Sequence, residues 1–246
     1  MGFHPLQTAP YPYSMTVKRL GLAPVLLAQA LWVMARASRL PEAGGDRHGT
    51  LGSGPLKRLV VIGDSSAAGV GVSHQSEALG GQLAAALAKD LSVSWQVIAK
   101  SGATVASTLR SLEALPDMQA DLALIALGVN DTKNGVRTDR WQSGYTELLG
   151  TVSEKSGASR ICVSGIPLLR HFPLLPSPLN EVLGARAEQF DMILRQIAES
   201  RPDTRYLKMD FPLDPENMAT DGFHPSAKIY RQWAERAADA FLSPDW

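Results

Sequence analysis

From residue 56 onward the chain alternates between two spacings of apolar residues. Short, nearly unbroken hydrophobic runs lie at residues 58–63, 94–99, 121–127, 160–166 and 204–209. Runs of this length with little polar alternation suit strands covered on both faces. Between them the spacing lengthens to three and four. One such set is Leu79, Leu83 and Leu87, and a second is Trp141, Tyr145, Leu148 and Val152. A third is Leu183, Ala187, Phe190, Leu194 and Ile197, and a fourth Ile229, Trp233, Ala237 and Phe241. Each marks one face of an amphipathic helix. Strand and helix in alternation predict a parallel sheet with helices on both faces. Ligands of such sheets bind beyond the carboxyl ends of the strands, so polar residues just past those ends are the ones to search.

The first 55 residues follow another pattern. Lys18 and Arg19 precede an apolar run at 20–35 that contains Pro24 and Gln29. It falls short of the ~20 apolar residues that span a bilayer. Two readings stand. Residues 1–37 form a signal peptide, with Ala35-Arg36-Ala37 as its A-x-A site, or the run is an uncleaved helix that docks on the domain or lies at a membrane surface. Met15 is a second candidate start, which would make residues 1–14 an extension. Residues 41–55, rich in Gly and Pro, read as a linker. The organisation expected is therefore an apolar segment plus linker at 1–55 and a catalytic domain at 56–246. The location expected is cytoplasmic or membrane-associated, of bacterial type, or secreted or periplasmic if residues 1–37 are removed.

Composition narrows the classes. Lys+Arg and Asp+Glu both number 24, for a formal net charge of zero. That argues against a nucleic-acid partner, which demands a basic footprint. The one cysteine, Cys162, sits in an apolar run and reads as a buried structural thiol. The five histidines are scattered and none belongs to an HExxH pattern, so no metal site is expected.

Four segments at strand ends carry chemistry. In VVIGDSSAAGVG, residues 60–71, Ser65 follows the first run among small neighbours. A serine there can attack a carbonyl, with its own N–H facing the oxyanion, or simply cap the next helix. The sequence is not G-x-S-x-G, so the α/β-hydrolase elbow is not supported. In AKSGATVAST, Gly102 can offer a bare backbone N–H to a ligand, or the segment is a helix start capped by Ser101 or Thr104. In LIALGVNDT, Asn130 is an amide donor suited to an oxyanion, or a turn residue. In DGFHPS, Asp221 can hold one imidazole nitrogen of His224 and leave the other to take a serine proton. Pro225 disfavours a helical backbone at His224, which places the histidine just before the last helix. The alternative is a surface turn.

Taken in order, the four segments resemble the SGNH hydrolases, the GDSL-type esterases and lipases. Gly63-Asp64-Ser65 matches the first block, Gly102 the second, Gly128-Val129-Asn130-Asp131 the G-x-N-D block and Asp221-Gly222-Phe223-His224-Pro225 the D-x-x-H-P block. Lys100 departs from the pattern, standing where members often carry Asn. The resemblance implies a three-layer α/β/α, flavodoxin-like sandwich with a five-stranded parallel sheet. It also implies a serine esterase working through an acyl-enzyme, with Ser65, His224 and Asp221 as triad. Ser65, Gly102 and Asn130 would form the oxyanion hole, and no cofactor or metal would be needed. Asp64 reads as a hydrogen-bonding brace for the Ser65 loop.

The apolar stretch at 168–183 suggests a wall of the substrate cleft, with Phe172, Leu174 and Leu175 as binding residues, or a loop packed on the core. Its apolarity favours carboxylic esters with short- to medium-chain acyl groups. Lysophospholipase, thioesterase and carbohydrate deacetylase activities use the same machinery. Two readings belong to other classes. A metal-dependent phosphoesterase would use Asp64, Asn130, Asp131 and His224 as ligands. A flavodoxin-like binding module would need a phosphate cradle, which no Walker A or G-x-G-x-x-G sequence supplies.

Overall fold

The computed structural model describes residues 14–36 and 40–246, with side chains from residue 22 on. The chain divides into two units, Met1–Ala37 and Ser38–Trp246. In the first, α1 (Ser14–Arg36) holds Pro24 in its interior. Among the described residues no helix is long and apolar enough to cross a membrane. The suggested extension before residue 14 and the cleavage site at Ala37 lie outside the described residues.

The second unit is built on a six-stranded sheet in the order β1-β3-β2-β4-β5-β6. The strands are β1 (His48–Leu51), β2 (Leu56–Gly63), β3 (Ser92–Ala99), β4 (Leu122–Ala126), β5 (Arg160–Ser164) and β6 (Thr204–Leu207). The five from β2 to β6 are mutually parallel, as the apolar runs predict. The sixth comes from the stretch read as a linker: β1 pairs antiparallel with β3, His48 opposite Gln96 through Leu51 opposite Val93. The sequence hides it because its side chains are mostly exposed, so no apolar pattern marks it.

Alternation along the strands sends successive side chains to opposite faces. Leu59 and Val61 of β2, Val93, Trp95 and Val97 of β3 and Leu122 and Leu124 of β4 join one buried cluster. Its helical half comes from α2 (Leu79–Leu87) and α7 (Ala227–Leu242), through Leu79, Leu83, Leu87, Trp233, Ala237 and Phe241. Val60, Ile62, Ala123, Ile125, Ile161 and Val163 point the other way and are also buried. That layer is α3 (Val105–Ala114), α5 (Thr138–Ser156) and α6 (Leu179–Glu199). There Trp141 of α5 stacks on Phe190 of α6 at 4.3 Å between centroids. Cys162 is fully buried, and burial pushes its thiol pKa up.

Two features of the topology place the site. The chain leaves β2 for β3 on one side and then returns to β4 on the other, which opens a crevice at the carboxyl ends of β2 and β4. The register is level there, since Gly63 lies opposite both Ala99 and Ala126. The loops that follow β2, β3 and β4 therefore emerge side by side.

Candidate active site

Ser65 stands two residues beyond β2, at the start of a series of turns. Ala68 N–H donates to the Asp64 carbonyl at 2.9 Å, and Val70 N–H to that of Ser65 at 3.0 Å. The next helix begins only at Leu79, with Ala78 as its cap, so Ser65 caps nothing. Gly71, at φ +107°, lies so close to the final loop that a Cβ would sit 2.5 Å from the Pro225 carbonyl. A side chain at that position would push the serine and histidine loops apart.

The final loop brings His224 to Ser65. His224 Nε2 lies 2.9 Å from Ser65 Oγ, and His224 Nδ1 lies 2.6 Å from Asp221 Oδ2. The other oxygen of Asp221 accepts from the N–H groups of Phe223 at 2.9 Å and His224 at 3.0 Å. Burial raises the Asp221 pKa, but the bonds from the His224 ring and the two backbone donors outweigh it and hold the carboxyl below its ordinary value. An ionised Asp221 can only accept, so Nδ1 carries the proton and Nε2 is left to accept from the serine hydroxyl.

Three loops bring the other expected donors into place. Ser65 N–H and Gly102 N–H have no hydrogen-bond acceptor among the described residues. Gly102 adopts φ +81° with open space where a Cβ would go, so conformation and not crowding calls for glycine there. Two residues on, Thr104 caps α3, so the second segment is a helix start and a free-donor turn at once. Asn130, in the short helix α4 (Val129–Lys133), is buried. Its Nδ2 donates to Asp64 Oδ2 at 3.1 Å and to the Ala103 carbonyl at 3.0 Å. Both amide protons are thus engaged within the loops, and Asn130 reaches an oxyanion only by exchanging one of these acceptors for it.

Two buried carboxyls tie the loops together. Asp64 Oδ1 accepts from Ser66 N–H at 3.0 Å, while Oδ2 holds Asn130. Burial pushes its pKa up to about 6 against the pull of that N–H and of the charges on His224 and Lys133. Asp131 takes the Val105 N–H on both oxygens, at 3.3 and 3.2 Å, pinning α4 to the start of α3. Burial raises it also to about 6, with the Asp64 charge adding to the rise. Among the described residues no group of three His, Cys, Asp or Glu side chains could hold a metal ion.

An apolar pocket opens from Ser65 past the ends of β4 and β5. Ala126, Ile166, Phe172, Met209, Phe223 and Trp233 are among its walls. Phe172 is where the sequence places it, but Leu174 and Leu175 do not line the pocket. Leu175 is buried, and Leu174 packs beside Gly222. The missed wall is the loop after β6, which brings Met209, Phe211, Leu213 and Met218. A mixed polar and apolar loop carries no period that would reveal it. The linker reading also missed a brace: Glu42 Oε1 accepts from Ser101 N–H at 2.7 Å, beside Gly102, and Glu42 Oε2 pairs with Arg47 at 2.5 Å. Lys100 is exposed and donates its backbone N–H to the Gly63 carbonyl at 3.3 Å.

Residues 61–232 match the GDSL-like lipase/acylhydrolase family, and the chain belongs to it. Several solved structures share the fold. TesA is 23% identical over 77% of this chain and 100% of its own, with a TM-score of 0.61. The psychrotrophic esterase EstA from Pseudoalteromonas sp., inhibited by monoethylphosphonate, is 21% identical over 75% and 96%, at 0.60. Axe2, an acetylxylan esterase from Geobacillus stearothermophilus, is 19% identical over 76% and 93%, at 0.56. No curated protein sequence matches the chain significantly.

Proposed function

We propose that the protein is a serine carboxylesterase that hydrolyses short- to medium-chain acyl esters through an acyl-enzyme. The observation that carries this reading is the Ser65–His224–Asp221 relay, at 2.9 and 2.6 Å, opening onto an apolar pocket. His224 Nε2 takes the hydroxyl proton as Ser65 Oγ bonds to the ester carbonyl carbon. The carbonyl electron pair moves to oxygen, where the free N–H groups of Ser65 and Gly102 meet it and Asn130 adds a third donor. Collapse re-forms the carbonyl and breaks the bond to the leaving alcohol, which takes the proton from His224. A water molecule then repeats the sequence and frees the acid. The apolar pocket receives the acyl chain. The phosphonate-inhibited esterase among the similar structures supports a nucleophile of this kind, and the acetylxylan esterase supports small acyl groups on the same fold.

The test is a fluorophosphonate probe combined with a p-nitrophenyl ester chain-length series. One adduct on Ser65 is expected, with activity and labelling lost together in Ser65→Ala. An adduct on Ser66, or full activity in Ser65→Ala, refutes the assignment.

A further inference from the structure

Lys133 closes α4, three residues after Asn130 and so on the same helix face. Its ammonium lies over the Phe223 ring, 5.1 Å from the centroid. Phe223 lines the apolar pocket and meets the His224 ring edge-on at 5.3 Å. Steps of 5.1 and 5.3 Å keep the ammonium within about 10 Å of the imidazole. The residue as a whole is exposed, and its charged head lies over the ring that walls the pocket. Burial there pulls its pKa below the ordinary lysine value, and the Asp64 charge works against that fall. Among the described residues Lys133 has no ion pair and no hydrogen-bond acceptor. Asp64, the carboxylate that senses it, is buried and occupied by Ser66 and Asn130.

An ammonium held over an aromatic face, with no ion pair and no hydrogen-bond acceptor of its own, gains little for stability alone. A ring face is worth less to an ammonium than an anionic oxygen. The acyl chain occupies the apolar pocket under the reading above, and His224 must face the leaving oxygen to protonate it. The leaving alcohol therefore exits on the His224 side, where Phe223 and Lys133 lie.

We propose that Lys133 is a specificity residue that binds an anionic group, carboxylate or phosphate, carried on the leaving alcohol of the ester. This rests on the esterase reading and names the substrate class of that same site: an apolar acyl group on an anionic alcohol. Neutral alcohols would leave the ammonium without a counter-charge.

The proposal is tested with matched esters that differ only in charge. One pair is 3-butyryloxy-4-nitrobenzoic acid and its methyl ester. A second, butyryl glycerol 3-phosphate and monobutyrin, tells phosphate from carboxylate. In at least one pair kcat/KM should favour the anionic ester by roughly five- to tenfold, the range expected for a partly exposed charge contact. That ratio should shrink as salt is added. Lys133→Met should remove the preference, and Lys133→Arg should keep most of it. A ratio that is the same in wild type and Lys133→Met, or no preference in either pair, overturns the proposal while leaving the esterase reading intact. Absence of turnover on all four esters, with no phosphonate adduct on Ser65, refutes both.

Discussion

Replacing Asp64 by Asn separates what this buried carboxyl does for catalysis from what it costs the fold. Its pKa is pushed from 3.8 to about 6. At about 1.36 kcal/mol per pKa unit, the ionised form costs the native state about 3 kcal/mol. Because the native pKa lies above the unfolded one, the native chain still holds a proton between about pH 4 and pH 6 that the unfolded chain has released. Stability from this group therefore falls as pH rises through that window and stays low above it. Asn removes the charge but supplies one acceptor where Asp64 supplies two, to Ser66 N–H and Asn130 Nδ2. One buried donor is then left unsatisfied, at a cost of about 1–3 kcal/mol. The two terms leave Asp64→Asn between neutral and about 2 kcal/mol more stable at about pH 8, or up to several degrees in Tm. At about pH 4 the gain vanishes, only the donor cost remains, and the variant should be less stable than wild type. Activity should move the other way. With the Asn130 amide no longer oriented, kcat should drop at least about tenfold at about pH 8 while the protein stays folded. The assay is Tm and kcat for both proteins across that pH range. A variant less stable at pH 8 than at pH 4, relative to wild type, refutes the buried-charge argument. Unchanged kcat refutes the positioning role.

Asn130→Ala should lower kcat by roughly 10²–10³, or about 2.7–4 kcal/mol, with little change in KM. Asn130→Asp should be at least as damaging, since its carboxylate would face Asp64 across the present 3.1 Å contact. Near-wild-type kcat in folded Asn130→Ala protein removes Asn130 from the mechanism. For α1, where Leu27, Leu31, Trp32 and Met34 are exposed, we propose peripheral binding to lipid surfaces. The chain should co-sediment with anionic vesicles, and a Leu27→Glu, Leu31→Glu double variant should remain in the supernatant. Equal partitioning of the two refutes it.

The parts of the site legible in sequence are those written within a few consecutive residues. Asp221 reaches His224 inside one turn, and the same carboxylate takes the N–H groups of Phe223 and His224. Ser65, Gly102 and Asn130 each follow an apolar run whose strand identity the period gives away. Level strand ends then convert three separate motifs into one cleft. What escaped has no local signature. β1 is mostly exposed, the pocket wall after β6 is irregular, and the Glu42 brace acts on Ser101 from 59 positions away. Leu174 and Leu175 carry no signal of which way they face, because an apolar loop reads the same whether it faces a pocket or the core.

The site loops are held by backbone geometry and by carboxyls whose partners are main-chain N–H groups, Asn130 and the His224 ring. Substitution there disturbs several loops at once. The loop from Met209 to Met218 lines the pocket, and the Lys133 ammonium lies over its Phe223 wall. That loop has little regular structure. Substrate preference can therefore shift at Lys133 or along that loop without moving the 2.9 Å contact between Ser65 and His224. Under the proposed esterase reading, the chemistry belongs to the loops at the level strand ends and the selectivity to the side chains around them.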